Sequence, residues 1–340
     1  MSPLAPVFDR LGQDIAELTG RIGCRVEIGD LGVTDRAGHL ALGEPGLVSP
    51  NGACRLVQAS DGWIAVNLAR QDDLDLIPAW LERPVDADPW TTILAAVRER
   101  GGRDLVNRAI LLGLPASVVG ETRHGSFTPS PLRLGEPRDR RGPLKVLDTS
   151  ALWAGPLCGA IFAAMGAQVT RLDSLGRPDP SAVSTPDFFR RLNHLKADLR
   201  LDLKVADDRS RLLDAVAATD VLITAARPRA LAALGLAPEA VFAANPALTW
   251  IAITGHGWTG EAAQRVAFGD DAAAAGGLLA FTAAGAPRFL GDALADPVTG
   301  LAAAAAGFRA MEAGGGVLID VALSPCAAGA AGVLGLEAAA

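Results

Sequence analysis

The residue that stands out as a candidate for chemistry in this 340-residue chain is Asp296, the one acid in the stretch ADPVTGLAAAAAG, residues 295–307. Asp followed by Pro is a common helix start, in which Asp is the N-cap and Pro takes the first helical position. A carboxylate in this place could also act as a nucleophile that forms a covalent intermediate. The residues alone leave both interpretations open.

Two further acids, Asp270 and Asp271, precede another run of small residues in AFGDDAAAAGGL. Capping of a helix start is one interpretation, because acidic side chains stabilise the first turn of a helix. A part in catalysis beside Asp296 is the other. The four cysteines and four histidines are dispersed without the spacing of a metal site, so we expect neither a metal centre nor a disulfide framework.

The second half of the chain alternates strand-like and helix-like segments. Apolar runs such as VLIT (221–224) and IAIT (251–254) favour strands that are buried on both faces. Their alternation with helical segments predicts an α/β fold, a Rossmann-like parallel sheet with helices on both faces. The turn after the first strand has no GxGxxG, and the chain has no P-loop and no GxSxG elbow, so binding of NAD or FAD has no support.

The first half predicts a smaller α+β domain. Two apolar runs around Ser60–Asp61–Gly62 indicate a β-hairpin, and helical patterns follow at 72–82, 89–100 and 103–113, with a short strand at 116–120. Residues 5–19 predict an amphipathic helix, whereas 21–52 carry no clear pattern. A segment rich in Pro, Gly and charge suggests a linker. The expected division is therefore a small domain at 1–121, a linker at 122–143 and the Rossmann-like domain at 144–340.

The bulk composition narrows the possible partners. The net charge of −7 and the pI of about 5.2 do not suggest nucleic acid. Apolar stretches are interrupted by charges or glycines, which predicts no membrane span. Acids among the first 18 residues argue against an export signal, so we expect a cytoplasmic protein with reduced cysteines.

Six motifs of the second half, taken together, resemble the class III CoA-transferase family, which includes formyl-CoA and carnitine CoA-transferases and α-methylacyl-CoA racemases. They occur in family order and cover nearly all of 144–323: VLDTSALWAGPLCGAIFAAMGAQVTRLD, LNHLKADLRLDLK, DVLITAARPRALAALGL, NPALTWIAITGHGWTG, LADPVTGLAAAAAG and GGGVLIDVAL. Each motif alone is weak, but six in sequence make a specific resemblance.

The first half resembles the same family out of order. NGACRLVQASDGWIAVNLARQDD (51–73) is similar to the strand pair that opens the family's small domain, and GLPASVV (113–119) to a late turn and strand of that domain. Family members usually place the large domain first, so this chain looks permuted, or like the middle of a tandem duplication. The resemblance implies a homodimer, although the permutation puts the family's interlocked ring in question.

The resemblance implies a reaction for Asp296. In the family, the nucleophile is an aspartate followed four residues later by Gly, which matches Asp296 and Gly300. Its carboxylate would attack an acyl-CoA thioester to form a mixed anhydride, and the freed CoA would return to form an aspartyl-CoA thioester. The implied substrates are an acyl-CoA and a carboxylic acid, with coenzyme A as substrate and no permanently bound cofactor or metal.

The resemblance also suggests residues that bind CoA. Lys196 matches a lysine of the family, and Arg227 matches an arginine, although Ala225 and Ala226 replace the usual Asn and Phe before it. Arg171 ends a predicted strand, where the family has a Lys beside an acid, here Asp173. Surface cations that bind no ligand are the alternative for all three. The proposed substrate loop consists of Trp153, Gly255, His256 and Gly257.

Two alternatives to transfer stay open. The permuted order is consistent with a catalytically impaired relative that binds CoA or a partner. An acyl-CoA racemase or isomerase is the weaker alternative, because racemases carry a His before the acid near position 270, where this chain has Phe268 and Gly269. Fitting Gly276–Gly277 to the family ending also leaves Asp270 one position out of register.

Overall fold

The first helix packs on the larger of two units, in a computed structural model that describes residues 3–138 and 142–336. Helix α1 (Ala5–Ile22) confirms the helix expected at 5–19, and its buried face includes Leu11 and Ile15. This face joins the core beneath the Rossmann-like sheet, as does Ile28 of the short helix α2 (Ile28–Leu31). The expected division puts these residues in the small domain, whereas their core contacts are with the large one. The division itself stays a prediction.

The small unit is built on three antiparallel strands. Its elements are β1 (Cys54–Ala59), β2 (Gly62–Asn67), α3 (Gln71–Asp75), α4 (Ile77–Leu81), α5 (Pro89–Arg98), α6 (Gly102–Leu112) and β3 (Ala116–Val118). The predicted hairpin is confirmed, because β1 pairs with β2 across Ser60 and Asp61. β3 pairs with the other edge of β2. Helices α4–α6 cover one face around the buried Trp80.

The large unit contains the remaining elements. They are β4 (Leu132–Arg133), β5 (Lys145–Asp148), α7 (Ala154–Ala164), β6 (Gln168–Ser174), α8 (Ser181–Ser184), α9 (Pro186–Asn193), β7 (Ala197–Leu201), α10 (Ala206–Ala217), β8 (Val221–Thr224), α11 (Pro228–Ala233), α12 (Pro238–Ala244), β9 (Thr249–Thr254), a 3₁₀ turn (Gly260–Gln264), α13 (Gly269–Ala275), β10 (Leu279–Phe281), β11 (Pro287–Phe289), α14 (Ala295–Glu312), β12 (Val317–Ala322) and α15 (Leu323–Val333).

Seven strands form the large sheet in the order β4-β12-β9-β8-β5-β6-β7. All neighbours are parallel except β4, which pairs antiparallel with β12. Side chains alternate across β8: Ile223 packs with α7 and α14 on one face, and Leu222 with α10 and α12 on the other. The predicted α/β fold with helices on both faces is confirmed, and both faces are apolar because each is covered.

The segment expected to be a linker contributes to the large sheet. β4 lies within 122–143 and forms the antiparallel edge of that sheet. Gly135 then passes so close to the backbone of Pro246 that a side chain at 135 would collide with the Pro246 carbonyl. Residues 139–141 lie outside the described part of the chain. Within the described ranges, no helix is long and apolar enough to cross a bilayer.

Candidate active site

Asp296 lies in the first turn of α14, but it is not the N-cap. The helix begins at Ala295 with Leu294 in the cap position, so of the two interpretations of Asp296 the structure excludes the N-cap. The reason lies in the preceding backbone: Ala293 adopts a left-handed conformation, with φ 46°, and its carbonyl accepts a hydrogen bond from the Asp296 N–H at 2.9 Å. The carboxylate is therefore not used to close its own helix.

The carboxylate of Asp296 instead faces the backbone N–H of Ala154, the first residue of α7. The close approach of the two helices depends on Gly300, because a Cβ at this position would lie 2.6 Å from the Ala154 carbonyl oxygen. The positive end of the α7 dipole thus faces the acid. Gly300 is where the sequence pattern required glycine.

Gly269 leaves the space that the Asp296 side chain occupies. A Cβ on Gly269 would overlap Asp296 Oδ2 and would lie 2.5 Å from the carbonyl oxygen of Ala293. The acid expected at position 269 from the family pattern would therefore have no room here.

A network of two more acids surrounds Asp296. Asn51 donates through Nδ2 to Asp270 Oδ2 at 2.6 Å and to Asp292 Oδ1 at 2.8 Å. Asp270 Oδ1 accepts from the N–H of Ala293 at 2.7 Å. Arg36 pairs with Asp292 through Nε at 2.5 Å and Nη2 at 2.9 Å. Asp270 thus holds the backbone turn that precedes Asp296, which is a structural task.

The surroundings of Asp296 favour its protonated form more than water does. Burial raises the pKa of Asp296 to about 7; Arg36 acts to lower it, whereas Asp270 and Asp292 add to the rise. Burial likewise raises the pKa of Asp270 to about 6, against hydrogen bonds from Asn51 and Ala293. Acids whose protonation changes near neutral pH are typical of functional sites, although buried structural networks also produce them.

Asp271 joins the two units of the protein. Its Oδ1 accepts from the Phe268 N–H and from Nδ2 of Asn67, both at 2.9 Å, and its carbonyl accepts from the Ser117 hydroxyl at 2.8 Å. Asn67 and Ser117 belong to β2 and β3 of the small sheet. The expected capping of α13 is present in the bond to Phe268, and Asp271 additionally connects α13 to the small unit.

Two of the three expected CoA-binding cations already have partners. Lys196 Nζ is fully buried and donates to Asp148 Oδ2 and the Pro156 carbonyl, both at 2.8 Å. The expected contact of Lys196 with a CoA phosphate is therefore not supported in this arrangement. Arg171 pairs with Asp198 at 2.9 Å, rather than with Asp173, and its guanidinium lies 5.0 Å from the Phe189 ring centroid.

Arg227 has no carboxylate partner within the described ranges. It precedes α11, and its Nη1 donates to the Gln264 carbonyl at 3.3 Å. Burial lowers the pKa of Arg227, and three neighbouring cations, Arg229, Arg70 and Arg177, lower it further. Arg70 is paired with the buried Asp73. The positive charge that suits a phosphate-bearing ligand therefore comes from Arg227, Arg229 and Arg177.

The proposed substrate loop at 255–260 is held in place by hydrogen bonds to residues of β12 and α15. The Trp258 N–H donates to Asp320 Oδ2 at 2.7 Å, and the Gly255 carbonyl accepts from Ser324 at 3.0 Å. His256 Nδ1 lies 3.0 Å from the Ser324 hydroxyl, and burial lowers the pKa of His256 to about 3. Gly257, with φ 148°, provides the turn. A histidine with so low a pKa is a weak base, so His256 is poorly suited to remove a proton from a substrate.

Trp153 lies at the boundary between the core and the site. It is almost fully buried, its Nε1 donates to the Val33 carbonyl at 2.8 Å, and its ring packs edge-on against Phe188. The Arg36 guanidinium lies 4.9 Å from the Trp153 ring centroid. Trp153 is therefore a core residue that also supports the cation nearest the acids.

Three residues of the network, Arg36, Asn51 and Asp292, were not expected from the sequence. Arg36 and Asn51 lie in the stretch 21–52, which has no periodic pattern, and they meet Asp292 across more than 200 residues of chain. Two signals were available: Asp292 is an acid four residues before Asp296, and Asn51 begins the family-like stretch 51–73.

Comparison with known proteins places most of this site in one matched region. The sequence profile of CoA-transferase family III matches residues 143–334. An acyl-CoA transferase from Fusarium pseudograminearum is 30% identical over 46% of this chain and 38% of its own length. A succinyl-CoA–D-citramalate CoA-transferase from Chloroflexus aurantiacus is 28% identical over 52% of this chain and 48% of its own. The human succinyl-CoA:glutarate CoA-transferase is 28% identical over 46% of this chain and 38% of its own length.

Solved structures also match this chain over slightly more than half of its length. The Rv3272 protein of Mycobacterium tuberculosis superposes with a TM-score of 0.52 at 26% identity, over 56% of each chain. A CAIB/BAIF family protein from Brucella suis gives a TM-score of 0.50 at 28% identity, over 55% of this chain and 54% of that one. The chain spans about half the length of these relatives or less.

Proposed function

Because the chain belongs to CoA-transferase family III, we propose that it is an acyl-CoA:carboxylate CoA-transferase in which Asp296 is the nucleophile. The observation that carries this proposal is the placement of the Asp296 carboxylate. It is not used as a cap, it meets the amino end of α7, and it fits against a glycine backbone at position 269.

The first half of the proposed reaction forms a mixed anhydride. A carboxylate oxygen of Asp296 attacks the thioester carbonyl carbon, the C–S bond breaks, and CoA leaves as a thiolate. Negative charge develops on the carbonyl oxygen during attack. The Ala154 N–H and the positive end of α7 lie beside the acid and can stabilise that charge.

The second half transfers CoA to the enzyme and then to the acceptor. The thiolate attacks the aspartyl carbonyl of the anhydride, which releases the original acid and leaves an aspartyl-CoA thioester. The acceptor carboxylate then attacks this thioester, and the same two steps run in reverse. No net proton transfer is required, so the proposal needs no dedicated base.

The arginine group around Arg227 is the proposed contact for CoA phosphates. Arg70, which acts on Arg227, lies 5.5 Å from the ring centroid of Phe268, the residue before Gly269, so it connects this group to the segment that contacts Asp296. Arg171 and Lys196 are proposed to support the sheet edge rather than the ligand, because each is already paired.

The proposal predicts that Asp296→Asn abolishes exchange. The amide keeps the size of the side chain but cannot form the anhydride, so the exchange rate with succinyl-CoA and glutarate as probes should fall at least about 10³-fold. CoA binding by calorimetry and the thermal unfolding midpoint should change little. Exchange at the wild-type rate in Asp296→Asn would rule out the proposed nucleophile.

A catalytically impaired CoA-binding relative is the second candidate. The observations that favour it are the enclosed Lys196 and the alanines that precede Arg227. CoA binding without exchange against a panel of mono- and dicarboxylic acids would support this candidate. Racemisation is less well supported, because Phe268 stands where racemases carry a base, and His256 is tied to Ser324.

The assembly and location of the protein are also proposals. We expect a homodimer in the cytoplasm. The residues around Asp296 come from both the first and the second half of the same chain, so a single chain already brings together the acids and Arg36.

A further inference from the structure

Arg36 is a cation beside the Asp296 cluster, and the steps of the transfer reaction give it no task. Two of its nitrogens contact the two oxygens of Asp292, which fixes the plane of the guanidinium. The ring of Trp153 supports its face at 4.9 Å. Its side chain is 20% exposed and that of Asp292 is 7% exposed, so water screens this pair only partly.

The charges that act on Asp296 come from four parts of the chain. Helix α7 supplies the Ala154 N–H, α13 supplies Asp270, the connection between β11 and α14 supplies Asp292, and the amino-terminal segment supplies Arg36. Arg36 is thus the positive side chain of the group within the described ranges. Asp292 therefore has two opposing effects on the ionisation of Asp296. It orients Arg36, which favours the ionised form, and its own negative charge disfavours that form.

We propose that Arg36, oriented by Asp292, is a positioning residue that opposes protonation of Asp296 and so increases the fraction of the carboxylate available for attack. This inference rests on the proposed transfer function, because only a nucleophilic role requires the carboxylate form. An opposite charge nearby favours ionisation, whereas burial and like charges disfavour it. Geometry places Arg36 at the turn that leads into Asp296. Its partner Asp292 lies four residues before Asp296, and Asn51 joins Asp292 to Asp270, which holds the Ala293 N–H of that turn.

The two residues of the pair predict opposite effects on the same acid. Arg36→Gln removes the positive charge, so the pKa of Asp296 should rise. Asp292→Asn removes a negative charge and keeps an oxygen that can accept from Arg36, so the pKa of Asp296 should fall. Arg36→Lys keeps the charge but not the paired contact, and should lie between wild type and Arg36→Gln.

The direct test is a carbon-13 NMR titration of the aspartate carboxyl groups, with the Asp296 signal assigned by its absence in Asp296→Asn. We expect the Asp296 midpoint to move by about one pH unit upward in Arg36→Gln and by a smaller amount downward in Asp292→Asn. The matched control is Arg21→Gln, which removes an exposed arginine from its pair with Glu312 and should leave the midpoint unchanged.

The pH dependence of kcat/KM for succinyl-CoA and glutarate supplies the second readout. Its acidic limb should move with the NMR midpoint in each variant. Unmoved midpoints in all three variants, or shifts in the same direction for Arg36→Gln and Asp292→Asn, would overturn the assignment of Arg36. If Arg36→Gln does not fold, Arg36→Lys and Asp292→Asn decide the matter.

The two readouts separate this inference from the function on which it rests. If the midpoints move as expected in the variants but the wild-type protein catalyses no exchange, the transfer function is refuted. Any role for Arg36 in attack is then refuted too, although its effect on the pKa of Asp296 has been measured. Exchange that requires Asp296, combined with unmoved midpoints, would refute the inference alone.

Discussion

Glycine at position 269 decides whether the Asp296 carboxylate can occupy its place. The α-carbon of Gly269 faces both Asp296 Oδ2 and the backbone of Ala293, and the latter belongs to the left-handed turn before α14. A flexible carboxylate can move away from a new methyl group, but the turn cannot do so without strain. The space for the candidate nucleophile is therefore created by a missing side chain.

We predict that Gly269→Ala displaces Asp296 and lowers kcat/KM by about 10²-fold or more, because small misplacements of reacting groups have large effects on rate. Stability should fall by about 1–3 kcal/mol from overpacking. Gly332→Ala is the control, since position 332 has open space around it. Wild-type kcat/KM for Gly269→Ala in steady-state exchange assays would contradict the proposed geometry.

At the scale of elements, α13 connects the small sheet to the site through Asp271. Neither Asn67 Oδ1 nor Asp271 Oδ2 has a hydrogen-bond partner among the described residues, although Asn67 Nδ2 already donates to Asp271 Oδ1. If Asp271 is protonated at Oδ2, this hydroxyl can donate a hydrogen bond to Asn67 Oδ1. Burial raises the pKa of Asp271 to about 7, which is consistent with a protonated acid at mildly acidic pH.

This pair predicts a pH-dependent stability. The Asp271 pKa is about 7 when folded and about 3.9 when unfolded, so its stabilising contribution is complete below the unfolded value and is lost as pH rises toward 7. Urea unfolding should therefore show a falling free energy across this interval. In Asp271→Asn, which supplies a permanent donor, the fall should be reduced by up to about 4 kcal/mol, since each pKa unit corresponds to about 1.4 kcal/mol.

The control for this prediction is Asp9→Asn, which removes an exposed acid of α1. It should leave the pH dependence of the free energy of unfolding unchanged. A wild-type and an Asp271→Asn protein with equal slopes between acidic and neutral pH would show that Asp271 is ionised throughout.

The hydrophobic periodicity of the sequence predicted individual helices and strands better than it predicted how they contact one another. The hairpin at β1 and β2 and the apolar strands β8 and β9 follow from local patterns, because each buries the faces that the sequence makes apolar. The N-cap interpretation of Asp296 is excluded because the left-handed turn at Ala293 moves the helix start to Ala295, and no local propensity of alanine predicts such a turn.

At the scale of the whole molecule, the candidate site combines the two ends of the chain. Arg36 and Asn51 come from the first 52 residues, whereas Asp292 and Asp296 come from the last 50. Such long-range contacts leave no periodic signal in either segment. The family motifs located Asp296, but the cation and the amide that complete its surroundings depend on how the two halves pack.

The most direct test of the proposed mechanism is to trap the covalent intermediate. Hydroxylamine added during turnover with succinyl-CoA and glutarate should convert the anhydride or thioester to a hydroxamate, which peptide mass spectrometry would locate at Asp296. Asp320, another largely buried acid, should stay unmodified, as should the whole protein without acyl-CoA. Active exchange with an unmodified Asp296, or a hydroxamate on another acid, would contradict the account.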